Sequence, residues 1–396
     1  DTHLHFASFA LFDSTLDVRD AKDFDDLERR ITGYVRERKP KLVLAFGASA
    51  SSVAEGELVT RDRLDRMPVD VPVMLIKYDG HASIVNSRML KLLPEGVRQL
   101  RGYNGETGQL FQEAYFKATD FVTGKVSVPA LLRSMLRGID TLARHGVGLI
   151  HTVEGVGFPL DLDVSMAKLL ARGLRNPFQM RIFFQTMNIG KVRAKRLPRV
   201  GGCFETALDG CFGSRDAALL EPYQGGTDTG ILFHSDEQVL RFVREAHGAG
   251  LQISMHAIGD AAFEQALTAY ETVLSESPRA DHRHTIIHAC LVAEEQLRRA
   301  ATAGLLLSVQ PAFADWPLEP AAYTEALLGK VRSDSLNPLR SMLRAGLIPS
   351  GGSDAPCTLP RPLAVDEARD TLAGAAAIQD EPWLAARDVA LFTLLY

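Results

Sequence analysis

The chain has 396 residues, 46% hydrophobic and 23% charged, the composition of an ordinary globular protein with a large core. Its net charge of -5 leaves no basic face, which argues against a nucleic-acid partner. No stretch of ~18 apolar residues reads as a membrane span, and Cys203, Cys211, Cys290 and Cys357 form no C-x-x-C pair, so neither a membrane protein nor a disulfide framework is indicated.

Taken in order, the chain opens on Asp1-Thr-His-Leu-His5. On a strand, His3 and His5 point to the same face and both imidazoles can reach one metal ion. A charged amphipathic helix is expected from about Phe24 to Arg38, strands at Leu42 to Phe46 and Val73 to Lys77, and a helix from Ile84 to Leu93. Tyr78-Asp-Gly-His81 directly follows the second of these strands and reads, on its own, as a turn with a capping Asp.

After a helix from Val128 to His145 a strand-then-helix rhythm sets in. Strands are expected at Gly148–Thr152, Gln179–Phe184, Gly202–Thr206, Gln252–His256, His284–His288, Leu305–Val309 and Leu347–Gly351. With the His3/His5 strand these make eight, which points to an α/β fold of the (β/α)8 TIM barrel type. The length exceeds the ~250 residues of one such barrel by about one insertion. The expected division is residues 1–19 as first strand and loop, 20–125 as an inserted α/β lobe, and 126–396 as the remaining barrel. Ser235-Asp-Glu-Gln238 should cap a helix start. The basic run Lys191 to Arg199 reads as a solvated loop, and the Pro-rich stretch around Trp316 as a long pocket-shaping loop.

Active-site groups of such a barrel collect at the C-terminal strand ends. There lie His3 and His5, Glu205, His256, His288 and Asp354, and six ligand-type residues on five strand ends point to a metal centre. Four imidazoles and two carboxylates suit Zn2+ or a similar divalent ion, and a bridging carboxylate favours a binuclear centre over a single ion. Water held by the ions would become a hydroxide nucleophile near neutral pH, and Asp354 would take its proton and return it to the leaving nitrogen.

These segments resemble the amidohydrolase superfamily, and within it the YtcJ-like branch that includes N-substituted formamide deformylase. The resemblance rests on Asp1-Thr-His-Leu-His-Phe6, Asp79-Gly-His-Ala82, Asn86-Ser87, Leu208-Asp-Gly210, Gly213-Ser-Arg215, Glu221-Pro-Tyr223, His256-Ala-Ile-Gly-Asp260, Arg283-His284, Ile287-His-Ala289, Ser308-Val-Gln-Pro311 and Gly352-Ser-Asp-Ala-Pro356. It implies His3, His5, His256 and His288 as ligands, Asp354 as ligand and proton shuttle, and Asp79 and His81 as walls of a substrate pocket. It also implies a small β-sandwich built from both chain ends. The chain lacks an initiator Met, begins almost on its ligands and stops inside an apolar helical pattern, Asp388 to Tyr396, so it reads as truncated.

Many members carry a lysine four residues before the Asp of the Asp-Gly pair; here Glu205 stands there, and it is expected to bridge directly. Ser214 and Arg215 are candidates for holding a substrate carbonyl or carboxylate, and His151 is a further candidate pocket residue. His145, His234, His247, His282 and His284 are read as solvated or structural, and the cysteines as packing residues. The expected activity is hydrolysis of a non-peptide C–N bond in a small amide, formamide or cyclic amide. Alternatives are the same machinery on an ester, a carbamate or as a deaminase, and a non-catalytic binding module on the same scaffold. The expected partner is a small-molecule substrate, with a homo-oligomer left open and a cytoplasmic location.

Overall fold

The computed structural model describes residues 1–173 and 177–360, so the pattern from Asp388 to Tyr396 lies outside the described residues. Six strands of the first third, β1 (Leu16–Asp17), β2 (Val43–Ala48), β3 (Val73–Lys77), β4 (Ala82–Val85), β5 (Tyr103–Asn104) and β6 (Gln109–Phe111), form a mixed sheet in the order β1-β2-β3-β4-β6-β5. Its first three strands are parallel and the others antiparallel.

The strand period explains its uninterrupted apolar runs. Val43, Ala45, Val73, Leu75 and Ile84 pack on one face with Leu27 and Ile31 of the helix Phe24–Arg38. Leu44, Phe46, Met74, Ile76 and Val85 point the other way into the main core. A sheet covered on both faces needs apolar residues at every position.

The helix expected from Ile84 is divided. Ala82–Val85 is strand β4, and the helix is Ser87–Leu92. Asn86 causes the switch: its Oδ1 accepts from Met89 N at 2.9 Å as a helix cap and from Val73 N at 3.0 Å across the sheet. The basic run is likewise no loop throughout, because Asn188 caps a helix Ile189–Ala194 through Lys191 N at 3.1 Å. The box Ser235/Gln238 is present in both directions, at 3.4 and 2.8 Å. The stretch around Trp316 carries a 3-10 turn, Pro311–Asp315, and a helix, Ala321–Leu328.

The second sheet is parallel and curled, with seven strands: β7 (Leu149–Glu154), β8 (Gln179–Phe184), β9 (Arg199–Ala207), β10 (Gln252–Ala257), β11 (Thr285–His288), β12 (Leu306–Val309) and β13 (Ser350–Gly351). Helices between them supply apolar faces to one large core. Residues 1–5 run between its two edges. Leu4 N donates to His151 O at 3.3 Å and Val153 N to Leu4 O at 3.1 Å, while Thr2 N donates to Gly351 O at 3.0 Å and Asp354 N to His3 O at 2.8 Å. Asp1 fastens the same seam, its carboxylate accepting from Ser353 N at 3.1 Å and Ser353 Oγ at 2.6 Å. Among the described residues no helix is long and apolar enough to cross a membrane.

Three histidines lock the starts of β10 and β11. His284 Nδ1 accepts from Ile253 N at 3.1 Å, so its Nε2–H donates to His247 Nδ1 at 2.9 Å, and His247 Nε2–H donates to Ser277 O at 2.8 Å. His282 Nδ1 accepts from His284 N at 2.9 Å and its Nε2–H reaches Ala303 O at 3.0 Å. Every ring nitrogen is committed, so this cluster is structural and leaves no lone pair for a metal. Burial lowers the pKa of all three, that of His284 to about 2.

The acid side of stability follows. Below about pH 6.5 the unfolded chain binds protons that these imidazoles refuse, so stability present above that pH is lost as pH falls toward the folded-state values. Replacing His284 by Leu is expected to flatten the pH dependence of the unfolding free energy by about 1.4 kcal/mol per pH unit between about pH 6 and 4, read from urea titrations. An unchanged slope would contradict a neutral buried His284.

Candidate metal centre

Parallel strands deliver their C-terminal ends to one edge, and the chemically useful side chains gather there. His256 is the penultimate residue of β10, His288 the last of β11, and Asp354 lies three residues beyond β13. His3 and His5 come from the seam. All five are buried.

Their rings and oxygens converge. Asp354 Oδ1 sits 3.1 Å from His3 Nε2 and 3.3 Å from His5 Nε2. It is out of line for a hydrogen bond with either. Burial pushes the Asp354 carboxyl up, yet the His3 and His5 imidazoles overcome this and hold it well below the usual carboxylate range. The His3 and His288 rings lie 5.3 Å apart between centroids, and those of His256 and His288 4.4 Å apart. Burial drives the pKa of His3 down and that of His288 well down, so both are neutral and carry a lone pair.

The surrounding residues decide which nitrogen is free. Gln310 Oε1, just past β12, is 2.6 Å from His288 Nδ1, which turns Nε2 toward the cluster. His256 Nε2 faces Gly210 O at 3.1 Å and Asp209 Oδ1 at 3.4 Å, leaving its buried Nδ1 without a partner. Burial lowers the His256 pKa, but the Asp209 carboxylate outweighs this and raises it overall. Asp209 is itself held by three backbone donors, Ile258 N, Gly259 N and Ala218 N, at 2.8 to 3.0 Å. Two imidazole nitrogens close around a buried carboxylate oxygen that has no hydrogen bond of its own fit a divalent cation bound by nitrogen and oxygen.

The fourth strand differs from expectation. Glu205 is exposed, its Oε1 accepting from Thr186 Oγ1 at 3.2 Å and Met187 N at 3.1 Å, away from the cluster. Cys203 occupies the place instead, with Sγ 3.5 Å from His3 Nε2 and 3.8 Å from His288 Nε2. The cause is a bulge in β9. Met255 pairs with Gly202 but His256 with Ala207, so residues 203 to 206 are extruded from the register. Phe204 adopts φ +50°, and an even-spaced count along the strand lands on the wrong side chain. Cys203, read from sequence as a packing residue, and Gln310 are thus the side chains that the structure brings to the cluster in addition; for Cys203 the Gly201-Gly202 pair before the bulge was the available signal.

A cleft of about 960 Å3, its open mouth included, leads to the cluster. Asp79 and His81 line it from the turn between β3 and β4. Ser214 and Arg215 line an adjoining outer cleft of about 2440 Å3, which meets the inner one at His81 and Phe204. His151 lies away from both, on the inner side of the sheet with Phe183, Gln252 and Thr285, where burial lowers its pKa to about 3. Cys211, Cys290 and Cys357 also line the inner cleft, and all four thiols are free.

The model of the amidohydrolase family matches residues 1–372. The chain belongs to the amidohydrolase family. This amidohydrolase is 28% identical over 384 residues to the YtcJ protein of Bacillus subtilis strain 168, covering 90% of its own length and 69% of that protein. It is 26% identical over 427 residues to N-substituted formamide deformylase of Arthrobacter pascens, covering 99% of itself and 76% of the relative. An uncharacterized metal-dependent hydrolase from Pyrococcus furiosus superimposes on the whole chain and on 81% of its own with a TM-score of 0.72 at 23% identity, a likeness of fold.

In this amidohydrolase Asp79 also holds the pocket wall together. Its Oδ2 pairs with Lys77 Nζ at 2.7 Å, both side chains nine-tenths or more buried, and Oδ1 accepts from His81 N at 3.1 Å. Burial raises the Asp79 pKa, but Lys77 overcomes this and lowers it overall. Asp79→Ala strands a buried ammonium and is expected to lower the unfolding free energy by about 3–5 kcal/mol in urea titrations. A loss below about 1 kcal/mol would mean that Lys77 finds water or Ser214, 3.3 Å away, instead.

Proposed function

We propose that this amidohydrolase is a metal-dependent hydrolase of a small amide, formamide or cyclic amide, cleaving a non-peptide C–N bond. The observation that carries the reading is that Asp354 Oδ1 lies 3.1 and 3.3 Å from His3 Nε2 and His5 Nε2, with the His288 ring beside His3 and the His256 ring beside His288, at the end of a parallel sheet. We take the curled sheet as a (β/α)8 barrel with residues 1–5 as the eighth strand, supported by their backbone bonds to both edges, and residues 20–125 as a lobe inserted after it.

His3, His5 and Asp354 would hold one divalent ion, of the zinc type, and His256 Nδ1 and His288 Nε2 a second, with Cys203 Sγ between the two groups. Such ions, when bound, acidify water and polarise a carbonyl oxygen. The chain does the rest. Gln310 and Asp209 keep the ligand nitrogens aimed inward. Asp354, with a depressed pKa, is the base that takes the proton of the attacking water and passes it to the nitrogen of the breaking C–N bond. Asp79 and His81 border the substrate, and the aromatic lining of the cleft around Phe204 and Phe313 favours an uncharged apolar flank near the reacting group.

Two measurements test this. Asp354→Asn is expected to cut kcat on any hydrolysed amide by about 10^2–10^4 while most metal stays bound; turnover within a few-fold of the parent would remove Asp354 from the role. By elemental analysis the parent should carry two equivalents of zinc or a similar ion. Cys203→Ala is expected to fall to one or fewer and Glu205→Ala to match the parent, and the opposite order would return the bridge to Glu205.

A further inference from the structure

The wall of the inner cleft continues past the ligands as a run of rings. Phe313 lies parallel to His288, centroids 6.1 Å apart, and stacks on Trp316 at 4.6 Å; Trp316 meets Tyr78 edge to face at 5.0 Å. The run ends on an acid, because Tyr78 Oη donates to Glu319 Oε1 at 2.7 Å. Gly213 makes the room for this pair: a Cβ there would stand 2.5 Å from Tyr78 Oη and 2.7 Å from Glu319 Oε1. Phe313, Trp316 and Glu319 all line the cleft.

Charge around the cleft is one-sided. Its lining holds three carboxylates and no lysine or arginine. Asp79 is matched by Lys77 and Asp354 by the imidazoles, whereas Glu319 takes one hydrogen bond, from the Tyr78 hydroxyl, beside a Lys77 ammonium that is paired with Asp79; its Oε2 has no hydrogen bond among the described residues. Burial and the nearby Asp79 push the Glu319 carboxyl up to about 7, with Tyr78 and Lys77 acting the other way. A cation placed against it would stabilise the ionised form, and the Trp316 ring beside it in the cleft lining adds an aromatic surface for the same cation.

We infer that Glu319, with Trp316, recognises an ammonium group that the substrate carries at a distance from its scissile carbonyl. This rests on the reading of the cleft as a hydrolase site and narrows the substrate class to amides bearing a protonated or quaternary amine. Substrates with a carboxylate at that end meet like charge and are rejected.

The test uses the metal-loaded chain and a matched pair of probes, choline and its neutral isostere 3,3-dimethylbutan-1-ol, titrated by calorimetry. Choline is expected to bind at least about tenfold tighter than the alcohol, and Glu319→Gln, which keeps an acceptor for Tyr78, to remove that preference. Trp316→Leu should weaken choline several-fold without touching the carboxylate, and it serves if the Gln variant does not fold. Equal affinities in the parent, or a preference that survives in both variants, overturn the inference. Because binding is read apart from turnover, a chain that prefers choline but hydrolyses no amide would sink the proposed activity alone. One that hydrolyses neutral amides without the preference would sink the ammonium site alone.

Discussion

Everything at the catalytic edge hangs on the five-residue seam at the start of the chain. Residues 1–5 are short of a regular strand, with a single ladder bridge, Leu4 to Thr152. Yet their backbone groups are matched on both sides, and Thr2 Oγ1 meets Ser308 Oγ at 2.9 Å inside. Gly352 permits the approach: a Cβ there would come 2.8 Å from His3 N and 2.9 Å from its Cβ. The distance from His3 and His5 to Asp354 is therefore set by backbone pairing rather than by side-chain reach. A site positioned this way needs little reorganisation when charge enters it, since the ligands are already desolvated and held.

That dependence explains which parts of the centre could be read from sequence. His256 and His288 sit where even strands end and Asp354 three residues past another, which apolar periodicity reports, while His3 and His5 showed themselves by their spacing alone. The β9 segment departs from evenness, so counting back from Asp209 reached Glu205 while the fold turned Cys203 inward. Glycines with φ of +103° and +134° at 201 and 202 make the departure possible; a Cβ at Gly201 would fall on Ser254 O. A paired glycine inside a strand pattern is a bulge signal, but it names neither the number of residues extruded nor which one faces the histidine cluster.

The smaller sheet was legible at its helix and at β3, and misread at β4. There Ile84 and Val85 continue an apolar run that suits either helix or strand, and the deciding group, Asn86, works through bonds to Met89, Val73 and Val71 at once. Two of those partners lie more than ten positions away, beyond the reach of local propensity.

The chemistry and the specificity of the site have different origins in the chain. The donors come from the curled sheet, where each strand repeats one geometric rule. The far wall of the cleft joins the β3–β4 turn to the segment after β12, and Tyr78 and Glu319 meet across 241 residues. No periodicity foretells that meeting, because it is made by two irregular segments whose backbones are fixed by separate sheets. The aromatic run from His288 to Tyr78 joins the donor edge and the wall by ring contact, so a change of wall residue alters what the His288 ring packs against.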